Sequence, residues 1–154
     1  MLGHRGLTRG LAGFSLVELL VLLVVIGALF SLSLPAFMSY YKSAQVRAAA
    51  SGIAAYLNQG RQLAIQQNQR VCVHIASTAL HYALGSCAGS VWVGPGTDAA
   101  GNIPAPGGIT LTTTADPVFS NLGAAAPAAT VTVTHGSASL SVIVSASGRV
   151  IVGR

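Results

Sequence analysis

The stretch LAGFSLVELLVLLVVIGALF, Leu11 to Phe30, constrains this chain more than any other, because it is an apolar run interrupted near its head by a single carboxylate, Glu18. Between Phe14 and Leu34 lie 21 residues. As a helix they rise about 31 Å, which matches the roughly 30 Å hydrocarbon core of a bilayer. A charged side chain in hydrocarbon costs on the order of 2.5–3.5 kcal/mol on insertion scales, so Glu18 is out of place there unless something uses it. Two readings of the segment compete: a secretory signal peptide cut after Ser33, with small Ser31 and Ser33 at the cleavage site, or a retained helix. The run exceeds a usual signal core, carries Glu18 and continues past Pro35 into further helical sequence, all of which favours retention.

The remainder of the chain suits a different solvent. With 154 residues there is room for one modest domain plus a terminal extension, and after the apolar run the sequence turns to Ala, Gly, Ser, Thr and Val. No later stretch approaches the ~18 uninterrupted apolar residues of a second span. The net charge is +5, but Arg5 and Arg9 precede the apolar run; beyond it Lys42, Arg47, Arg61, Arg70, Arg149 and Arg154 are scattered and form no basic stripe of the kind that marks nucleic-acid binding.

Past Pro35, Val46, Ala49, Ala50, Ile53, Leu57, Gly60 and Ala64 recur at helical spacing, with Arg47, Asn58, Gln62, Gln66 and Gln69 on other faces. The pattern predicts an amphipathic helix which, joined to the apolar run, extends from Phe14 to about Arg70. From Val71 the period changes to two. The runs VCVHIA, LHYAL, VWV, ITLTT, TVTVT, LSVIV and RVIV, parted by turn residues, predict antiparallel strands, the last three as a meander through turns at His135-Gly136-Ser137 and Ser147-Gly148. The Gly- and Pro-rich stretch from Gly94 to Gly108 reads as a long loop.

Gly13-Phe14-Ser15-Leu16-Val17-Glu18, behind a leader with Arg5 and Arg9, resembles the class III signal of type IV pilins and type II secretion pseudopilins. The resemblance implies that a prepilin peptidase cuts between Gly13 and Phe14 and methylates the new Phe14 amine. It also gives Glu18 a use, since in that family the carboxylate at the fifth mature position meets the amino terminus of a neighbouring subunit as helices bundle. A buried carboxylate is tolerated when an opposite charge neutralises it. Pro35, the twenty-second residue from Phe14, sits where pilins often carry a helix-kinking proline; a simple helix end at the membrane surface is the other reading.

Gln45 to Arg70, the early cysteine-bearing hairpin, Phe119-Ser120-Asn121-Leu122-Gly123-Ala124 and Ser147-Gly148-Arg149-Val150 resemble the GspH/FimT family of minor pseudopilins and pilins. The implied fold is α+β, a long membrane-spanning helix packed on a small antiparallel β-sheet head. The implied parts are a cleaved leader (1–13), a transmembrane and assembly helix (14–35), an amphipathic stalk (36–70) and a periplasmic head (71–154). Other pilin or pseudopilin subunits, the prepilin peptidase and the bacterial inner membrane are the implied partners. Basic residues balance across the span, so charge leaves orientation open; the cysteines and the resemblance put the leader in the cytoplasm and the head in the periplasm.

Little enzymatic chemistry is on offer, and no cofactor is expected. Cys72 and Cys87, 15 positions apart, fit a disulfide in an oxidising compartment or two buried thiols, and lack the CxxC spacing of redox and zinc sites. His74 and His81 can share a hairpin face but want the further ligands a metal needs, so no metal site is assigned. Apart from Glu18 the acids are Asp98 and Asp116 alone, too few for paired-carboxylate hydrolysis or a calcium loop. Trp92 is expected to bury its ring in the head. Some FimT-like pilins bind DNA through a Gly-Arg-x-Arg motif; Gly148-Arg149-Val150-Ile151 keeps only the first arginine. The resemblance thus allows DNA uptake as the second reading, with Arg149 as a weak contact, behind a structural subunit.

Overall fold

A helix that is apolar on every side for its first turns and on one side thereafter must serve two environments, and the structure has one: α1, Leu16–Gln66, 51 residues long with Glu18 in its first turn. The computed structural model describes residues 14–153, apart from the side chains of 32–36; the expected leader with Gly13, and Arg154, lie outside the described residues. Two units divide the chain, the first ending at Met38 and the second formed by Ser39–Arg154.

In the first unit every described side chain from Phe14 to Ser31 is exposed. Among the described residues no helix is long and apolar enough to cross a membrane; the unbroken stretch of α1 whose side chains are described before residue 32, Leu16 to Ser31, is about 24 Å of helix against a core of ~30 Å. Pro35 is within α1, in the stretch whose side chains are outside the description.

In the second unit the predicted helix face is the buried one: Val46, Ala49, Ala50, Ile53, Leu57 and Ala64 all join the core. The helix stops at Gln66, short of Arg70, because Asn68 adopts a left-handed φ of 48°. Its N–H donates to the Ile65 carbonyl at 3.2 Å and the Gln69 N–H to the Ala64 carbonyl at 3.2 Å, the double bond pattern that satisfies a helix's last carbonyls.

The strands are β1 (Val71–Ile75), β2 (Ala79–Leu84), β3 (Ser90–Val91), β4 (Asn102–Pro104), β5 (Thr110–Thr113), β6 (Val118–Phe119), β7 (Ala129–His135), β8 (Ala138–Val144) and β9 (Val150–Val152). They make two sheets instead of one. The first has the order β3-β2-β1-β6, with β4 also on β2; the second is β5-β7-β8-β9. All their pairings are antiparallel. The expected carboxy-terminal meander is β7-β8-β9. In β7, Ala129, Val131 and Val133 are buried while Thr130, Thr132 and Thr134 are not, as period two requires.

Two departures from the expected elements have a common cause. The stretch 94–108 is not all loop, since β4 pairs with β2 through Leu80↔Ile103. Phe119, which alternation alone does not mark, lies opposite Val71. Both strands are too short for a period to register, and only their partners define them. Trp92 is half-buried and meets the buried Tyr82 edge-on, ring centroids 5.8 Å apart.

Candidate functional site

Three loops meet at the end of the second unit where α1 stops. The turn Ser120–Gly123 closes with Gly123 N–H donating to the Ser120 carbonyl at 2.8 Å and Ser120 N–H to the Ala124 carbonyl at 2.8 Å. The turn before β9 closes with Gly148 N–H donating to the Ser145 carbonyl at 2.8 Å. Asn121 Nδ2 donates to Asn68 Oδ1 at 3.0 Å, tying the first turn to the cap of α1, and Ala125 N–H donates to the Ala146 carbonyl at 3.0 Å, tying the two turns together. The segments Phe119–Ala124 and Ser147–Val150, far apart in sequence, are therefore one structure.

Arg61 lies in the middle of it. A Cβ on Gly123 would sit 2.8 Å from Arg61 Nε and 3.3 Å from a terminal nitrogen, and one on Gly148 would sit 3.3 Å from Nε and collide with the Gly123 carbonyl oxygen. Both glycines also hold left-handed φ angles, 83° and 77°, which side-chain-bearing residues rarely adopt. The two glycines make room for a guanidinium. Arg61 Nε is buried and has no hydrogen-bond partner. Around it Leu122, at the tip of its turn, is 86% exposed and Ile65 48% exposed; Arg149, next to Gly148, is exposed as well.

A second cluster joins residues that sequence spacing could not connect. His74 Nδ1 lies 2.6 Å from Asp116 Oδ2, and Asp116 Oδ1 accepts the Ile75 N–H at 3.0 Å. His81, directly across the hairpin from His74, has its ring 4.8 Å away. Burial, with His74 adding to it and Asp116 opposing, holds the His81 imidazolium below the usual histidine range. The carboxylate fastens the β5–β6 connection to β1. Cys72 and Cys87 form a disulfide, so although both sulfurs approach Asp116, neither is available as the thiolate a metal or a nucleophile needs.

Of the other residues singled out in the sequence, Phe14 is 73% exposed, Glu18 is exposed in the first turn of α1 where a carboxylate favours the helix dipole, and Gly13 lies outside the described residues. Arg61, Leu122 and Asp116 are all named in the sequence analysis, but none of them has a role there. The signal for the first two was present in the glycines of the two short motifs, which mark places where backbones approach closely. Between α1 and the β4–β5 segment there is also a cleft of about 270 Å³, lined by Ile53, Tyr56, Leu80, Ile103, Pro106 and Ile109 among others, with no Ser, Cys, His, Lys or carboxylate among its lining residues.

A long helix whose second half packs on two antiparallel sheets defines a pilin-like fold. Solved structures share the fold. The type IV minor pilin FimU of Pseudomonas aeruginosa is similar at a TM-score of 0.55 and 15% identity, over 70% of this chain and 92% of that one. The minor pseudopilin EpsH of the type II secretion system of Vibrio cholerae is similar at 0.56 and 12%, over 72% and 94%. No curated protein matches the chain. The family described as Type II transport protein GspH matches residues 49–148, and the chain belongs to that family.

Proposed function

We propose that the chain is a structural minor pilin or pseudopilin subunit, built into a type II secretion pseudopilus or a type IV pilus. The observation that carries this reading is the exposure of every described side chain from Phe14 to Ser31 on a helix that is apolar all round. Such a helix is stable only in lipid or bundled with others. Glu18 in its first turn supplies the charge that a neighbouring amino terminus would neutralise.

On this reading residues 1–13 are a leader removed by prepilin peptidase after Gly13, and Phe14 becomes the methylated amino terminus. Residues 14–35 are the membrane and assembly helix, with Pro35 the place where it can unwind, 36–70 the stalk, and 71–154 a head on the periplasmic side of the inner membrane. The disulfide supports an oxidising compartment for the head. The role is mechanical, through other subunits, and calls for no cofactor or catalytic residue.

Mass spectrometry of the mature chain from the producing cell tests the reading. An N-methylated Phe14 is expected; a terminus at Leu34 would replace the reading with an ordinary secreted protein.

A further inference from the structure

The cluster on the first hairpin carries more chemistry than fastening a loop requires. Val73 and Tyr82 turn towards α1, where both lie against Gly60. Their neighbours along the strands, His74 and His81, therefore point to the opposite face of the sheet. The two histidines are directly paired across the hairpin, and such pairs hold their side chains side by side. The His74 side chain is 43% exposed, so this face is open to solutes.

Asp116 fixes the first imidazole. A carboxylate accepts, so in the 2.6 Å contact His74 Nδ1–H donates to Asp116 Oδ2. The proton on Nδ1 leaves the ring's lone pair on Nε2. Asp116 is held in turn, because its Oδ1 accepts the Ile75 N–H at 3.0 Å. A carboxylate on one ring nitrogen and a metal ion on the other is the arrangement that orients metal-binding histidines. His81 brings the second imidazole, with its ring centroid 4.8 Å from that of His74 and the planes at 44°. Two imidazoles sharing one ion through bonds of about 2.0 Å, in square-planar or tetrahedral coordination, have centroids about 4.5–5 Å apart. The hairpin already holds the rings at the separation a shared ion requires.

We propose that His74 and His81 form a binding site for a divalent transition-metal ion of the copper and zinc type, with Asp116 as the residue that positions His74. His74 Nε2 and one nitrogen of His81 ligate the ion, and water fills its remaining positions. Imidazole nitrogen selects such ions over oxygen-seeking magnesium and calcium, and the order of affinities puts Cu(II) above Zn(II). Thiolates do not compete, since Cys72 and Cys87 are joined to each other and no cysteine is free. His135 stands opposite Ala138 in the second sheet and offers a single imidazole. Both ligands belong to one hairpin of one chain, so the site does not rest on the assembly reading.

The test is Cu(II) titration of the untagged, oxidised full chain in detergent, with His4→Ala in every sample so that the leader adds no imidazole. Affinity is read against a competing chelator, and pulsed electron paramagnetic resonance counts the imidazoles on the ion. The expected result is saturable binding of one Cu(II) per chain by two imidazoles, undisturbed by excess Mg(II) or by His135→Ala. Asp116→Asn should keep both imidazoles yet weaken binding about 10–100-fold, the usual loss when an orienting partner of a ligand is altered. A carboxylate that only pins the loop would not move that affinity. His81→Ala should weaken binding by at least about tenfold and leave one imidazole on the ion; it spares the His74–Asp116 contact, so it reads the site even if His74→Ala disturbs folding. The proposal is overturned by the absence of saturable binding, by fewer than two imidazoles on the wild-type ion, by an affinity indifferent to His81→Ala, or by Asp116→Asn binding as tightly as the wild type.

Discussion

Two helical glycines make opposite predictions from the same substitution. In a helix interior, replacing Gly by Ala gains about 1 kcal/mol from lost unfolded-state freedom and better helix propensity. At Gly52 a new Cβ meets nothing within 4 Å, so Gly52→Ala should stabilise the head by about 0.5–1 kcal/mol. At Gly60 the methyl would lie 2.7 Å from Val73 Cγ2 and 3.1 Å from Tyr82 Cε1, against the ~3.5–4.0 Å of an ordinary carbon contact. Neither neighbour can yield. Val73 is fully buried in the middle of β1 with a branched, stiff χ1, and the Tyr82 ring is held by its hydroxyl donating to the Tyr56 carbonyl at 2.8 Å. The helix must then lift from the sheet by several tenths of an ångström, an overpacking cost of ~1–3 kcal/mol, which leaves Gly60→Ala destabilising by about 1–2 kcal/mol net.

Urea unfolding of the full chain in detergent, without reductant, measures both variants, and the single Trp92 beside Tyr82 reports the transition by fluorescence. The midpoint should rise for Gly52→Ala and fall for Gly60→Ala, at unchanged slope. A Gly60→Ala protein as stable as the wild type would mean that α1 does not approach the β1–β2 hairpin as closely as this packing requires, and the reasoning from glycine to helix–sheet contact would fail.

Reducing the Cys72–Cys87 bond, or replacing Cys72 by Ser, should lower stability by about 3 kcal/mol in the chain-entropy account of a loop with a 15-residue separation; equal melting with and without reductant refutes it. Burial first, and Tyr56 second, push the Tyr82 phenol above its ordinary value of 10.0, so above about pH 10 the unfolded chain binds fewer protons than the folded one and stability falls with rising pH; in Tyr82→Phe that slope should flatten. Gly148→Ala, which adds a Cβ at φ 77° against the Gly123 carbonyl oxygen, should cost at least about 2 kcal/mol in the same urea assay. Glu18→Ala should enter the membrane as well as the wild type, since a carboxylate leaves an apolar run, yet drop out of sheared filaments; recovery there at wild-type level removes the pairing role of Glu18.

The sequence made the helix face and the meander readable because each repeats a local period for several turns or pairs: Val46 through Ala64 at helical spacing, and Ala129 through Val144 at period two. It also carried the two motifs around Gly123 and Gly148. Their meeting at Arg61 was hidden, as was the Asp116–His74 contact, because contacts between distant segments leave no local period. The two-sheet division was hidden for the same reason, β5 going to β7 and β6 to β1. The helix end was nearer to hand. Asn68 is a residue that tolerates the left-handed conformation, and weighting it above the continuing glutamines would have put the stop at Gln66.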